Sequence, residues 1–213
     1  MANAQVGFDD MADQQIAPVL RSEGFKGTRG TWSKTSANGD SAVVNLQKSR
    51  WNTADEVAFT VNLSLVPRPW FEWQSKQYGF PPSRKPREEN GLWRDRLRPQ
   101  AELTQDGQFW VVRDVQSAVD CARDVTDQLQ HAGLPRLLAL LDRQALMEAI
   151  RAGDFGYIKM SPLIPLIVML SDSGPSEELA QAISSLEADL PGFREWKLKD
   201  EFLTWIRERA AQR

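Results

Sequence analysis

Residues 56–66 alternate without interruption. Val57, Phe59, Val61, Leu63 and Leu65 fall on one face of an extended chain, and Ala58, Thr60, Asn62 and Ser64 fall on the other. Wound as a helix, this segment would scatter its apolar side chains around the axis. It therefore predicts a strand of an antiparallel sheet, with one face on a core and one face polar.

The flanking sequence extends that sheet. A strand is expected over 41–49, preceded by a turn at Ala37-Asn38-Gly39-Asp40, whose Asn-Gly pair suits a hairpin. A further strand is expected over 26–34, a fourth over 91–98 and a fifth over 108–114. Ahead of them, Phe8, Met11, Ala12, Ile16, Val19 and Leu20 recur at a helical period. Pro18 predicts a kink there and Gly24 a C-cap. A short helix is expected within 70–78. From Val115 the period becomes helical, with a stripe through Val119, Ala122, Val125 and Leu129 ending at Gly133. Helical pieces then follow to the end of the chain. The fold class is α+β: an antiparallel sheet of about five strands flanked by helices, followed by an all-helical C-terminal half. The division expected is 1–133 for the sheet domain and 134–213 for a helical subdomain packed on it, because no Gly/Ser-rich or charged linker separates them.

Composition removes several chemistries. A chain of 213 residues with 41% hydrophobic and 26% charged residues can bury a sizeable core. Its single cysteine, Cys121, excludes an internal disulfide and thiolate zinc sites, and its single histidine, His131, excludes a two-histidine metal helix. Neither phosphate-cradling glycine motif occurs. No catalytic residue, metal site or cofactor is expected: His131 reads as a helix-end residue and Cys121 as packing. The N-terminus has no signal-like segment, and the longest apolar stretch, 163–170, is broken by Pro165. The expectation is a cytoplasmic protein with no membrane contact.

Three segments carry a family resemblance: Gly24-Phe25-Lys26, then Asn45-Leu46-Gln47-Lys48-Ser49-Arg50-Trp51-Asn52, then Phe59-Thr60-Val61-Asn62-Leu63. The sequence resembles the bacterial domain of unknown function 4304 family over about residues 9–130. The resemblance implies a helix ending in the first motif and strands bearing the other two. It brings no catalytic assignment.

Two groups of residues remain as candidate binding surfaces. If the second and third strands pair, Asn45 and Gln47 lie beside Thr60, Asn62 and Ser64, a set of neutral donors and acceptors suited to a peptide, an amide or a ring edge. The same residues would equally serve as a solvated face or as amides satisfied by a loop. The second group is the stretch 67–99, with eight cations against four acids inside a chain of net charge −3. Arg94, Arg96 and Arg98 stand there among Trp70, Phe71, Trp73, Tyr78, Phe80 and Trp93. Lys48 and Arg50 join this positive surface, unless Arg50 simply stacks on Trp51. Trp70 and Trp73 are the expected aromatic anchors for a protein partner. The functional expectation is a non-enzymatic protein-binding role, of immunity or accessory type, with a partner encoded nearby. The alternative is a nucleic-acid-associated protein using the 67–99 surface; a third reading of the same stretch is a loop that packs its aromatics on the core and leaves its arginines in water.

Overall fold

The computed structural model describes residues 4–28, 30–81, 83–104, 106–189 and 197–213. The strand expected over 56–66 is β4, Val57–Val66, and it is the centre of the molecule. On one side it pairs antiparallel with β3, Ser41–Lys48, in the register Asn45↔Asn62 and Gln47↔Thr60. On the other side two short strands lie end to end along it: β5, Trp93–Leu97, pairs with 61–65, and β6, Trp110–Val112, with 57–59.

The single strand expected over 26–34 is instead a hairpin. β1, Lys26–Thr28, turns back onto β2, Thr31–Thr35, with Thr28 facing Thr31. Gly27 and Gly30 permit this, since both have positive φ and a Cβ on Gly27 would collide with the Thr31 carbonyl.

Helices cover the apolar face. The first runs as α1 (Ala4–Met11), a π-helical turn (Ala12–Ile16) and α2 (Ala17–Ser22), closed by Gly24 in the left-handed region. The wider turn answers Pro18, which lacks the N–H that an α-helix would bond four residues back. The same device recurs. α4 (Val115–Gln128) passes through a π turn (Leu129–Gly133) into α5 (Leu134–Ala139), with Pro135 just after the wide turn. The helix therefore does not stop at Gly133. That glycine is helical because α5 crosses β4 closely: a Cβ there would sit 2.9 Å from Leu63 Cδ1.

The remaining helices are α3 (Arg68–Tyr78), α6 (Arg143–Arg151), α7 (Leu163–Ser171), α8 (Glu177–Asp189) and α9 (Lys199–Ala211). The part of the last helix expected at 193–196 lies outside the described residues. No described helix is long and apolar enough to cross a membrane.

The main core joins the sheet to both ends of the chain. Phe8, Ile16, Trp32, Phe59, Leu63 and Trp110 share it with Leu134, Leu137, Leu146, Ile150 and Phe155. A second core is built between α3 and α7–α9, where Trp73 meets Phe202 edge-on at 4.9 Å and Trp205 at 5.4 Å. An ion network, buried at Asp40 and partly exposed beyond it, ties the same parts together. Asp40, 1% exposed, takes a two-pronged hold from Arg143 (Nη2–Oδ1 2.8 Å, together with Nε to Oδ2) and the Arg68 N–H at 2.8 Å. Arg143 also reaches Asp172, which binds Arg209 at 2.7 Å and Arg213 at 2.6 Å, and Arg209 closes the network on Glu72.

Candidate functional site

The face of the sheet turned away from the main core carries Thr31 and Ser33 from β2, Asn45 and Gln47 from β3, Thr60, Asn62 and Ser64 from β4, and Arg94 and Arg96 from β5. The pairing registers set them side by side. At its centre is a relay of neutral amides. Asn45 Nδ2 donates to Thr31 Oγ1 at 2.8 Å and to the Gly30 carbonyl at 3.1 Å. Asn62 Nδ2 donates to Gln47 Oε1 at 3.0 Å, and Asn62 Oδ1 accepts from Arg96 Nε at 2.8 Å. The two surfaces read separately from the sequence, the amide face and the arginine-rich stretch, thus meet at Asn62 and Arg96.

The two arginines on this face differ. Arg94 is neutralised: its guanidinium is held by Glu88, with Nε 2.8 Å from Oε1, and lies 5.3 Å from the centre of the Tyr157 ring. The Tyr157 phenol is pushed up in pKa by burial, against the pull of Arg94 and with the help of Glu88. Arg96 is half-buried and has no carboxylate within ion-pair distance among the described residues. Its surroundings form an open cavity of about 320 Å3 lined by Gln47, Arg50, Trp51, Thr60, Arg96 and Phe109, among others. A larger cavity, about 640 Å3, begins at the same Gln47 and runs under the 85–89 loop to Lys26.

Chain comparison can be set on this geometry. The family model described as Domain of unknown function (DUF4304) matches residues 16–139. The chain belongs to the DUF4304 family. No curated protein and no solved structure matches it. In this DUF4304 chain the matched stretch runs from within the first helix to the end of α5. The motif residues Asn45, Gln47, Thr60 and Asn62 belong to the amide face just described.

The other predicted site residues scatter. Lys48 borders the smaller cavity, but its ammonium turns to the opposite face, where it lies 5.2 Å from the Phe8 ring centre and donates to Gln5 Oε1 at 3.3 Å. Even numbers along β3 face the core, and Lys48 falls at the rim of that side. Arg50 and Trp51 follow β3 at the mouth of the cavity, and no cation–ring contact joins them among the described residues. Arg98 lies just past β5, exposed and without an ion pair to a described residue.

Trp70 and Trp73, the expected anchors, are withdrawn from the surface, Trp73 wholly and Trp70 in part. Both lie on α3. Trp73 is 2% exposed inside the second core, and Trp70 is half-buried against both cores. Among the described tryptophans the exposed one is Trp51, at 84%.

Other chemical candidates are accounted for structurally. Asp124 is buried, accepting Trp110 Nε1 at 2.8 Å, Gln128 Nε2 at 2.9 Å and the Gln100 N–H at 3.2 Å. Cys121 is buried, and burial, with Asp124 and Asp120 nearby, raises its thiol to about 11. Among the described residues no three His, Cys, Asp or Glu side chains gather as metal ligands. Reasoning from the sequence missed Tyr157 and the segment around it. Arg94 N donates to the Phe155 carbonyl at 3.2 Å and Tyr157 N to the Arg94 carbonyl at 2.9 Å, so this segment covers the free edge of β5. The only signal was an aromatic pair flanking Gly156, and its partner is some sixty residues away, as Trp93 is from Asp154.

Proposed function

We propose that the chain is a non-enzymatic protein-binding protein, of immunity or accessory type, that seats its partner on the amide face with Trp51 as the anchor. The observation carrying this reading is the juxtaposition of Trp51, 84% exposed, with Arg50 and Arg96 around one cavity. Binding energy at protein interfaces concentrates in a few residues, with Trp and Arg prominent among them. The amides of Asn45 and Gln47 add donors and acceptors suited to a peptide backbone. The immunity-type assignment is by analogy with small proteins encoded beside their partners.

The second reading is a nucleic-acid-associated protein. It is favoured by one feature: the residues lining the smaller cavity include Arg50, Arg96, Trp51 and Phe109 and no acid, a set able to stack a base and meet a phosphate. The protein reading is preferred because the adjoining cavity carries Glu88 and Glu89 and because the chain as a whole has a net charge of −3.

Affinity capture from the host with the intact chain tests the choice. A stoichiometric partner should be recovered, lost on Trp51→Ala and retained on Tyr78→Ala, which truncates another exposed aromatic, on α3. Tight, salt-sensitive binding of random DNA or RNA, abolished by Arg50→Ala with Arg96→Ala, would establish the second reading instead.

A further inference from the structure

We infer that Arg96 is a preorganised receptor for a carboxylate, and that the partner segment reaching this cavity is acidic. The inference rests on the protein-binding reading and supplies the chemistry of its ligand.

Several arginines of the 67–99 stretch are paired with an acid of the same stretch. Glu72 binds Arg68, Glu89 binds Arg84 and Arg87, and Glu88 binds Arg94. Most of the local acid is thus spent on particular arginines, and Arg96 is left out. Its Nε is fixed by Asn62, and Asn62 is fixed by Gln47. A neutral amide orients a guanidinium without cancelling its charge. With Nε engaged, the terminal nitrogens remain as a planar fork, whose geometry matches a carboxylate or phosphate taken by two parallel hydrogen bonds. The half-buried position raises the cost of leaving that charge uncompensated and weakens the screening of any anion that arrives. Arg50 adds a second cation at the same cavity, and Trp51 an apolar wall for the stem of a glutamate or aspartate.

The test uses the full-length protein and NMR of the arginine side-chain N–H groups. The Arg96 signal is assigned by its loss in Arg96→Lys. Three probes are titrated in turn: a capped hexaglutamate peptide, inorganic phosphate and an eight-nucleotide oligothymidylate. The peptide should shift the Arg96 Nε–H and the Trp51 indole N–H together. Arg96→Lys, which keeps the charge and removes the fork, should weaken the peptide on the order of tenfold. Arg123→Gln, a charge change on α4, should leave binding unaltered. Circular dichroism of each variant confirms that the fold is kept.

Shifts at Arg96 from phosphate and oligothymidylate with none from the peptide would overturn the assignment in favour of a phosphate ligand. Silence from all three probes, or equal peptide affinity for the wild type and Arg96→Lys, would overturn it as well. A partner still captured through Trp51 in that case would leave the protein-binding reading intact and remove only the carboxylate assignment. Peptide binding lost on Arg96→Lys, with no partner captured, would do the reverse.

Discussion

Ser64 lies toward the C-terminal end of β4 with its hydroxyl buried and without a hydrogen-bond partner among the described residues. The Cβ that Gly91 lacks would collide with that oxygen. A buried donor with no partner carries a desolvation cost of about 1–3 kcal/mol. Ser64→Ala should therefore raise stability by about 1 kcal/mol in urea unfolding. Gly91→Ala should lower it by about 2 kcal/mol, since the new methyl meets packed strand atoms rather than solvent. The two exposed and buried tryptophans make a second contrast. Trp73→Ala empties a site between Phe202 and Trp205 and should cost about 3–5 kcal/mol, whereas Trp51→Ala should stay within about 0.5 kcal/mol. Equal losses from both would show that Trp51 packs on the protein rather than facing solvent. Cys121 gives a pH signature. Its thiol is raised from 9.0 to about 11 in the folded protein, so the folded state holds the proton more tightly than the unfolded chain. That contribution is complete below pH 9 and is lost as pH rises toward 11, by about 2–3 kcal/mol in all. Cys121→Ala should remove this alkaline slope.

The elements differ in how plainly the sequence announced them. β4 was legible because large apolar residues alternate strictly along it, and β3 because an Asn-Gly turn precedes it, although β4 is buried on both faces, with Thr60, Asn62 and Ser64 enclosed as well. The hairpin of β1 and β2 was not, because Lys26–Thr28 is exposed at all three positions and has no apolar phase to read. In the sequence Gly133 reads as a helix stop because glycine commonly is one. Here the requirement is close approach to Leu63, which only the third dimension displays. The amide face was legible down to Asn45, Gln47 and Asn62, since pairing of neighbouring strands sufficed to assemble it. The positions of Trp70 and Trp73 were not, because a helix surrounded by cations and aromatics does not say which of them it buries. The two π turns carry their own expectation. Pro18→Ala and Pro135→Ala restore a backbone donor, so each wide turn loses its reason to persist. Amide exchange should show added protection just after the replaced proline, with helical content by circular dichroism unchanged or slightly higher.

Across the molecule, the boundary expected at residue 133 falls inside a continuous helical run, and the main core draws on Leu134, Leu137, Leu146, Ile150 and Phe155 beyond it. Far-ultraviolet dichroism and tryptophan fluorescence should therefore report one coincident unfolding transition. Arg143→Met leaves Asp40 buried without its main counter-charge and should cost about 3–5 kcal/mol, a loss reduced in the double variant with Asp40→Asn. Additive costs would show that the two side chains act independently. The pairing of Asp40 with Arg143 spans 103 positions of sequence. During synthesis at about 5–20 residues per second, Asp40 emerges about 5–20 s before the arginine that neutralises it. Until Arg143 leaves the ribosome, that carboxylate has no arginine to bind and stays in water. Burial of Asp40 therefore waits for synthesis to pass Arg143, whereas β3 and β4 are complete well before it.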